Sequence, residues 1–398
     1  MPRIRDSAGH VESEGDARMT QAASGWRHVT VGEICEFKYG KSLPANARNP
    51  GDYPVYGSNG VVGSHDSYLT SGPTIVIGRK GSLGEVAFSP GPCWPIDTTY
   101  FVDSSATSED LRWLSLRLAA LGLTELNRAA AVPGLNREDA YRKTLLLPPL
   151  EEQRRLAEVL DRADELRAKR REALARLDDL TQSIFLDMFG DPVRNDRGWS
   201  RTLMSSLLER IHSGHSPQCL SRAAEGGEWG VLKLGAVTSC EFKPDENKAL
   251  PPEVEPRKEH AVQSGDLLFS RKNTRELVGA CALVRDTPTN LLLPDLIFRL
   301  ELNPDAVINK VFLQQLLVYP SKRRQIQSLA GGSAGSMPNI SKARLMAAEV
   351  EVPPLPLQRD FARRIDAIED LKTVHRASLG ELDALFASLQ DRAFRGLL

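Results

Sequence analysis

The chain has almost no net charge. Over 398 residues, 51 Lys and Arg stand against 52 Asp and Glu. A protein that coats nucleic acid through charge alone would be strongly basic. The first globular stretch, residues 27–150, is balanced too, with 12 basic and 12 acidic side chains. Any nucleic-acid contact must therefore be local and shape-fitted, or shared with a more basic partner. Cysteine is scarce: Cys35, Cys93, Cys219, Cys240 and Cys281 are odd in number and form no CxxC pair. That pattern points to reduced thiols in a cytoplasm and argues against a structural zinc site. No apolar run approaches the ~18 residues a membrane span needs, so no membrane partner is expected. Residues 1–25 are polar and lack the apolar segment of a signal peptide. They read as a disordered tail, or as upstream sequence if Met19 is the true start.

Catalytic motifs are lacking as well. Gly72 to Lys80 has the wrong spacing for a phosphate-binding P-loop, with Arg79 before Lys80 and no Ser or Thr after it. Gly78, Gly81 and Gly84 do not follow the dinucleotide spacing. Pro244-Asp245-Glu246-Asn247-Lys248 crowds its acids and lysine into one loop and reads as chance composition. No Asn/Asp-Pro-Pro-Tyr/Phe segment and no Gly-rich adenosylmethionine pocket is present. His212 and His215 are three apart, but beside glycine and serine they suit polar contacts better than a metal. No nucleophile–base pair assembles, so no cofactor, metal or catalytic residue is expected.

What is present is a repeat. Leu147-Pro148-Pro149-Leu150-Glu151-Glu152-Gln153-Arg154 returns as Val352-Pro353-Pro354-Leu355-Pro356-Leu357-Gln358-Arg359, at an offset of 205 (353 − 148). The offset holds through Leu166/Leu371, Leu177/Leu382, Leu180/Leu385, Ser183/Ser388 and Phe189/Phe394. Each copy reads as a long helix, opened by prolines whose missing N–H costs nothing there. Glu151 and Glu152 suit the first turn of the first copy. Steps of three and four give a seam at Leu156, Val159, Ala163, Leu166, Arg170, Ala173, Leu177, Leu180 and Ile184. The second copy gives Phe361, Arg364, Ile368, Leu371, His375, Ser378, Leu382, Leu385 and Leu389. A helix with so narrow a stripe needs a partner, and the other copy is the obvious one.

The stretches before the helices also correspond. In the first, Trp26 to Ile34 reads as a strand and turn, Tyr53 to Gly60 as a strand and turn, and Pro73 to Ile77 as a β-branched strand. The glycine-rich turn Gly78 to Gly84 follows, then Glu85 to Phe88, Asp97 to Val102, and a helix over 109–126 broken by Val132 to Asn136. In the second, Trp199 matches Trp26, and His212 to Ser216 matches Lys38 to Ser42. Phe269 to Asn273 matches Ile77 to Gly81, Pro294 to Phe298 matches Pro95 to Thr99, and Met337 to Ser341 matches Val132 to Asn136. The second copy is longer, with its extra residues between strands. Two readers on one frame with different tips would read two different things.

The basic pairs Arg79-Lys80 and Arg271-Lys272 each follow an apolar strand at a hairpin tip. Such a pair reaches phosphates, and Arg can also fork onto guanine. Lys38, Tyr39, Lys41, Tyr56, Ser58, Asn59 and Ser82 add donors and stacking faces around the first pair. His212, His215, Asn273 and Arg275 do so around the second. A solvated turn is the plain alternative for either pair; its recurrence at matching places favours a function.

With these residues in view, about residues 26–398 resemble the specificity subunit of type I restriction–modification systems. The likeness is carried by Trp26…Gly32-Glu33-Ile34, Ile75 to Gly84, Trp94 to Tyr100, and above all the twice-present Pro-Pro-Leu-x-x-Gln-Arg helix start. Arg271-Lys272-Asn273-Thr274-Arg275 lacks the glycines of the first turn. The resemblance implies an α+β fold: two mixed α/β target-recognition domains joined by two long helices packed as an antiparallel coiled coil, with an internal pseudo-two-fold repeat. The expected domains are a tail (1–25), a recognition domain (26–147), a central helix (148–190), a second recognition domain (191–352) and a C-terminal helix (353–398). It implies a non-catalytic subunit that reads a bipartite duplex DNA, one half per domain. Its partners would be modification (methyltransferase) subunits, two of them, and a restriction (translocase/nuclease) subunit. A ~50 Å helical spacer would match about 15 base pairs. Two other readings stay open: the same module in another modification-based defence complex, or a coiled-coil scaffold whose heads bind proteins.

Overall fold

The structure, a computed structural model, describes residues 25–126, 134–332 and 337–398. All of the expected tail but Gly25, and Val132 and Pro133 of the expected helix break, lie outside the described residues. The chain divides into two compact units, Met1–Arg170 with Ser378–Leu398, and Arg171–Ala377.

In the first unit the elements are β1 (Arg27–Thr30), α1 (Val31–Ile34), β2 (Lys38–Tyr39), β3 (Tyr53–Gly57), β4 (Gly60–His65), β5 (Thr74–Gly78), β6 (Val86–Ser89), β7 (Trp94–Pro95) and β8 (Thr99–Val102). Then come α2 (Leu111–Ala119), α3 (Arg137–Tyr141), β9 (Thr144–Leu147) and the first half of α4 (Leu150–Phe189). One sheet has the order β2-β8-β5-β6, all antiparallel; a second is β4-β3-β7, with β7 parallel to β3; β1 and β9 pair alone. Every residue of β5 is buried. Its unbroken Thr-Ile-Val-Ile-Gly run is what a strand covered on both faces requires. Phe37, Ile75, Ile77, Trp113, Leu114, Leu118, Leu156, Leu160 and Phe394 form the core. The helix expected over 109–126 stops at Ala119, because Gly122 turns left-handed (φ +64°) before a short 3-10 turn at Leu123–Leu126.

The second unit repeats this plan. Its strands are β10 (Ser200–Leu203), β11 (Leu208–Ser213), β12 (Gly230–Leu232), β13 (Asn247–Ala249), β14 (Leu267–Ser270), β15 (Cys281–Leu283), β16 (Leu291–Leu292), β17 (Ile297–Leu302) and β18 (Glu349–Val352). Its helices are α5 (Met204–Leu207), α6 (Gly235–Thr238), α7 (Lys310–Val318), α8 (Pro320–Gln327), α9 (Lys342–Met346) and the first half of α10 (Leu355–Phe394). The sheets run β11-β17-β14-β15 and β13-β12-β16, the last with β16 parallel to β12, and β10 pairs with β18. Strand for strand this is the first unit again, which establishes the internal repeat. Ladder register puts Ile297 where Thr99 stands and Asp295 where Asp97 stands. That is one residue out from the sequence pairing of Pro294 with Pro95.

Each long helix contributes a segment to each unit. In the first, Arg167 reaches Asp383 at 2.6 Å and Arg155 reaches the carbonyl of Leu398, so the segments run antiparallel. In the second, Asp178 meets Lys372 at 2.6 Å and Phe185 packs on Phe361, again antiparallel. The seam differs from the sequence reading at every other position. Leu166, Leu180, Leu371 and Leu385 are 45–53% exposed. The inward set steps through buried Leu156, Leu160 and Ala163 to partly buried Arg167 in one helix, and through buried Phe361, Ile365, Ile368 and Lys372 in the other. Both ladders keep the same heptad anchors; the second seam residue lies four residues on, not three. The sequence ladder favoured leucines, whereas the fold seats two paired cations in the seam.

The helix motif has a structural reason. Gln153 is fully buried; its Oε1 accepts from the N–H of Asp110 (2.8 Å), the N-cap of α2, while Nε2 donates to the carbonyl of Pro148 and to Glu109. Gln358 repeats this with the N–H of Asn309 (2.8 Å), the N-cap of α7, and the carbonyls of Pro353 and Val307. Each glutamine ties the start of a long helix to the start of the helix beside it.

Candidate nucleic-acid interface

In the first unit the basic pair leaves the end of β5. A Cβ on Gly78 would stand 2.0 Å from the carbonyl oxygen of Ser82 and 2.7 Å from that of Ser58. Only glycine lets the turn close against the β3–β4 hairpin. The N–H groups of Arg79 and Lys80 then donate to the Thr98 carbonyl at 2.9 and 3.1 Å. Arg79 is held as a fixed fork. Its Nη2 donates to the Asp97 carbonyl (2.6 Å), and its guanidinium lies over Tyr39 (5.3 Å) and Tyr100 (5.8 Å). Cation–π contact of this kind contributes about 0.5–2 kcal/mol. Burial, with Tyr39 beside it, pushes the Tyr100 phenol up to about 12, so it stays protonated and donates to the Leu135 carbonyl. These groups line a cleft of ≈ 520 Å³ completed by Lys80, Gly134, Asn136, Arg137 and Glu138.

The second unit builds the same arrangement from different side chains. The N–H of Arg271 donates to the Leu296 carbonyl (3.1 Å), and its own carbonyl accepts from Ile340, as that of Arg79 accepts from Leu135. Its guanidinium lies over Phe298 (5.0 Å), the counterpart of Tyr100, and Nε donates to Asn339 (3.0 Å). A cleft of ≈ 470 Å³ is lined by Arg271, Lys272, Asp295, Gly331 and Asn339.

The remaining candidates divide. Tyr39 and exposed Lys80 are at the first cleft, and Arg271 and Lys272 at the second. Ser82 shapes the turn through its backbone. Ser58 donates to the Thr98 carbonyl (2.7 Å) and braces the hairpin, whose tip residue Asn59 is exposed. Lys41 is exposed beside Trp94. Lys38 points to the opposite face from Tyr39, as strand alternation demands, and pairs with Asp103 (3.1 Å) and Ser105. Tyr56 is buried with Val76 and Cys93 and offers no stacking face. Asn273 is buried against Thr238 and caps its own turn, while Arg275 is exposed. His212 bonds Glu301 at 2.6 Å, which lowers that carboxyl's pKa; His215 is exposed. Among the described residues no group of three His, Cys, Asp or Glu is placed to hold a metal, and no helix is long and apolar enough to cross a membrane.

Sequence reasoning missed Tyr100, Arg137, Phe298, Asn339 and Lys342. Tyr100 and Phe298 sit in apolar strands and read as core. Arg137 and Lys342 stand one residue beyond the matched segments ending at Asn136 and Ser341, at the same offset of 205 (342 − 137). Extending that match by one position would have found them.

Residues 23–176 match the family model described as the type I restriction modification DNA specificity domain. Over 197 residues, 47% of this chain and 33% of the relative, the sequence is 30% identical to the type I restriction enzyme EcoEI specificity subunit of Escherichia coli. Over 274 residues, 63% of this chain and 57% of the relative, it is 27% identical to the EcoKI specificity subunit of Escherichia coli strain K12. The chain thus spans a third to somewhat over half of the length of these relatives. The fold is shared with the crystal structure of a type I restriction-modification system S subunit from M. genitalium, at a TM-score of 0.61 and 14% identity, over 93% of this chain and 96% of that one. In sequence over part of its length, and in fold over nearly all of it, the chain is similar to the specificity subunits of type I restriction–modification systems.

Proposed function

We propose that this chain is the sequence-specific DNA-recognition subunit of a type I restriction–modification complex. Residues 26–147 and 191–352 are its two target-recognition domains, and 148–190 and 353–398 its conserved helices. Each domain reads one half of a bipartite duplex. The helices set the gap and dock two modification subunits, which a restriction subunit joins, in the cytoplasm. The chain supplies recognition and no catalytic group.

The observation that carries this reading is the duplicated cleft. Two units of one topology hold an arginine over an aromatic ring at the same strand end, with a lysine next to it. A fixed guanidinium fork suits a base edge, and a neighbouring lysine suits a phosphate. The surrounding side chains differ between the clefts, as reading two different half-sites requires. The near-zero net charge fits a subunit whose partners supply much of the phosphate clamp.

Sequencing of methylated bases in cells with and without the gene tests this. The expected result is a methylated motif with two specific parts and an unspecified gap, lost with the gene. A methylome unchanged by the deletion contradicts it.

A further inference from the structure

We infer that Arg137 and Lys342 are a matched pair of phosphate-holding residues, one beside each recognition cleft, that supply affinity without reading sequence. This rests on the DNA-recognition reading above. Both residues stand one position after a helix N-cap, Asn136 or Ser341, at the offset shared by the long helices. In each unit one aromatic ring at the cleft carries two cations, and the two rings stand on neighbouring strands of the repeated sheet: Tyr39 in the first unit, and in the second Phe298, the counterpart of its cross-strand partner Tyr100. Tyr39 lies within 5.3 Å of the Arg79 guanidinium and 5.7 Å of that of Arg137. Phe298 lies within 5.0 Å of the Arg271 guanidinium and 5.8 Å of the Lys342 ammonium. Arg137 has an acid, Glu138, only at 3.9 Å, and Lys342 is exposed.

Two like charges at one ring repel, and the repulsion is relieved when an anion enters between or above them. The repeat separates their roles. The position on the strand side is arginine in both units, which preserves the planar fork a base edge needs. The position across the ring is arginine in one unit and lysine in the other. A base fork does not survive that exchange; a phosphate accepts a point charge from either. Tyr39 and Phe298 hold the paired cations at fixed spacing, so a phosphodiester meets the outer cation while the inner one faces the groove.

The test uses the full chain assembled with its modification subunits. The probes are a duplex carrying the gene-dependent methylated motif and a scrambled duplex of equal length and composition. Binding is measured from about 50 to 200 mM salt. Arg137→Ala and Lys342→Ala should each weaken both duplexes by a similar factor, about 3- to 10-fold. Each should also reduce the slope of log affinity against log salt by about one, and the double variant by about two. Arg137→Lys should keep the wild-type slope. Arg137→Gln, which keeps the stem packed on the ring, should lose it, and so separates charge from folding. Unmoved slopes in a wild type that prefers the motif overturn the proposal alone. Loss confined to the motif duplex also overturns it, by making these residues base readers. A wild-type complex with no preference for the motif overturns the recognition reading, and this proposal with it.

Discussion

Lys372 reaches Asp178 at 2.6 Å, and both belong to a repeated arrangement. Arg167 stands 205 positions before Lys372 (372 − 167), and Asp383 stands 205 after Asp178 (383 − 178). Arg167 in turn reaches Asp383 at 2.6 Å. Each unit therefore ties its two helix segments with a seam cation from one copy and an acid from the other. Charged seam positions of this kind fix register at some cost in stability.

Lys372→Ala should destabilise the protein by about 1–3 kcal/mol at neutral pH. The figure is below that for a fully buried pair because Asp178 is half exposed. Burial alone would lower the Lys372 pKa; the hydrogen bonds to Asp178 and Glu369 outweigh it and hold the pKa above the ordinary value. A raised pKa gives stability that is complete below the unfolded value of ~10.4 and is lost as pH rises through the folded one. Urea unfolding should show the gap between wild type and variant narrowing only above that range. Equal stability at pH 7 would refute the seam role.

Gln153 and Gln358 make a sharper contrast. Glutamate at either site loses the amide donor that the Pro148 or Pro353 carbonyl accepts. At 153 the new carboxylate also faces Glu109, the present acceptor at 2.6 Å. Both substitutions should cost about 1–3 kcal/mol for the buried groups left unpaired, with the larger loss at 153. Denaturant midpoints of Gln153→Glu and Gln358→Glu test the order; the reverse order would contradict it.

Gly78→Ala should leave the helices intact and disturb the turn after β5 that carries the proposed base-reading Arg79, because the added carbon meets the backbone of Ser82 and Ser58. The complex should still assemble while losing discrimination at one half-site only. Binding to duplexes altered in one half at a time reports this, and an equal effect on both halves would argue against it.

Arg79→Ala and Arg271→Ala should each cost about 1–3 kcal/mol on the specific duplex and relax opposite half-sites. Lys38→Ala is the control: its ammonium is committed to Asp103 and Ser105, so binding should not change. A Lys38→Ala defect matching that of Arg79→Ala would mean that the cleft has been misassigned.

Much of this was legible in the sequence. The offset of 205 revealed the two helices, and the glycine turn after Ile77 revealed a close backbone approach. The seam phase was not legible, since Val159 and Leu160 serve equally well until a partner is present, and Leu371 is the better apolar choice than Lys372. Only tertiary packing chose Arg167 and Lys372 over leucines. Tyr56 sits near a turn and reads as a stacking face; β3 is covered on both faces there, and the contact with Val76 and Cys93 puts the ring inside. The cleft ring was hidden because an aromatic in an apolar strand is ordinarily core, and Phe298 is part of the core while also carrying a cation over its ring.

On the proposed function, two heads read two half-sites at a distance set by the helices. Four residues inserted after Arg170 and four near His375 add about one turn, ~6 Å, to both helices and keep their seams in step. That length is about two base pairs of duplex. Methylome sequencing of cells carrying the lengthened protein should recover both original half-sites with a gap wider by about two base pairs. A changed half-site, or both half-sites at the original spacing, would contradict the claim.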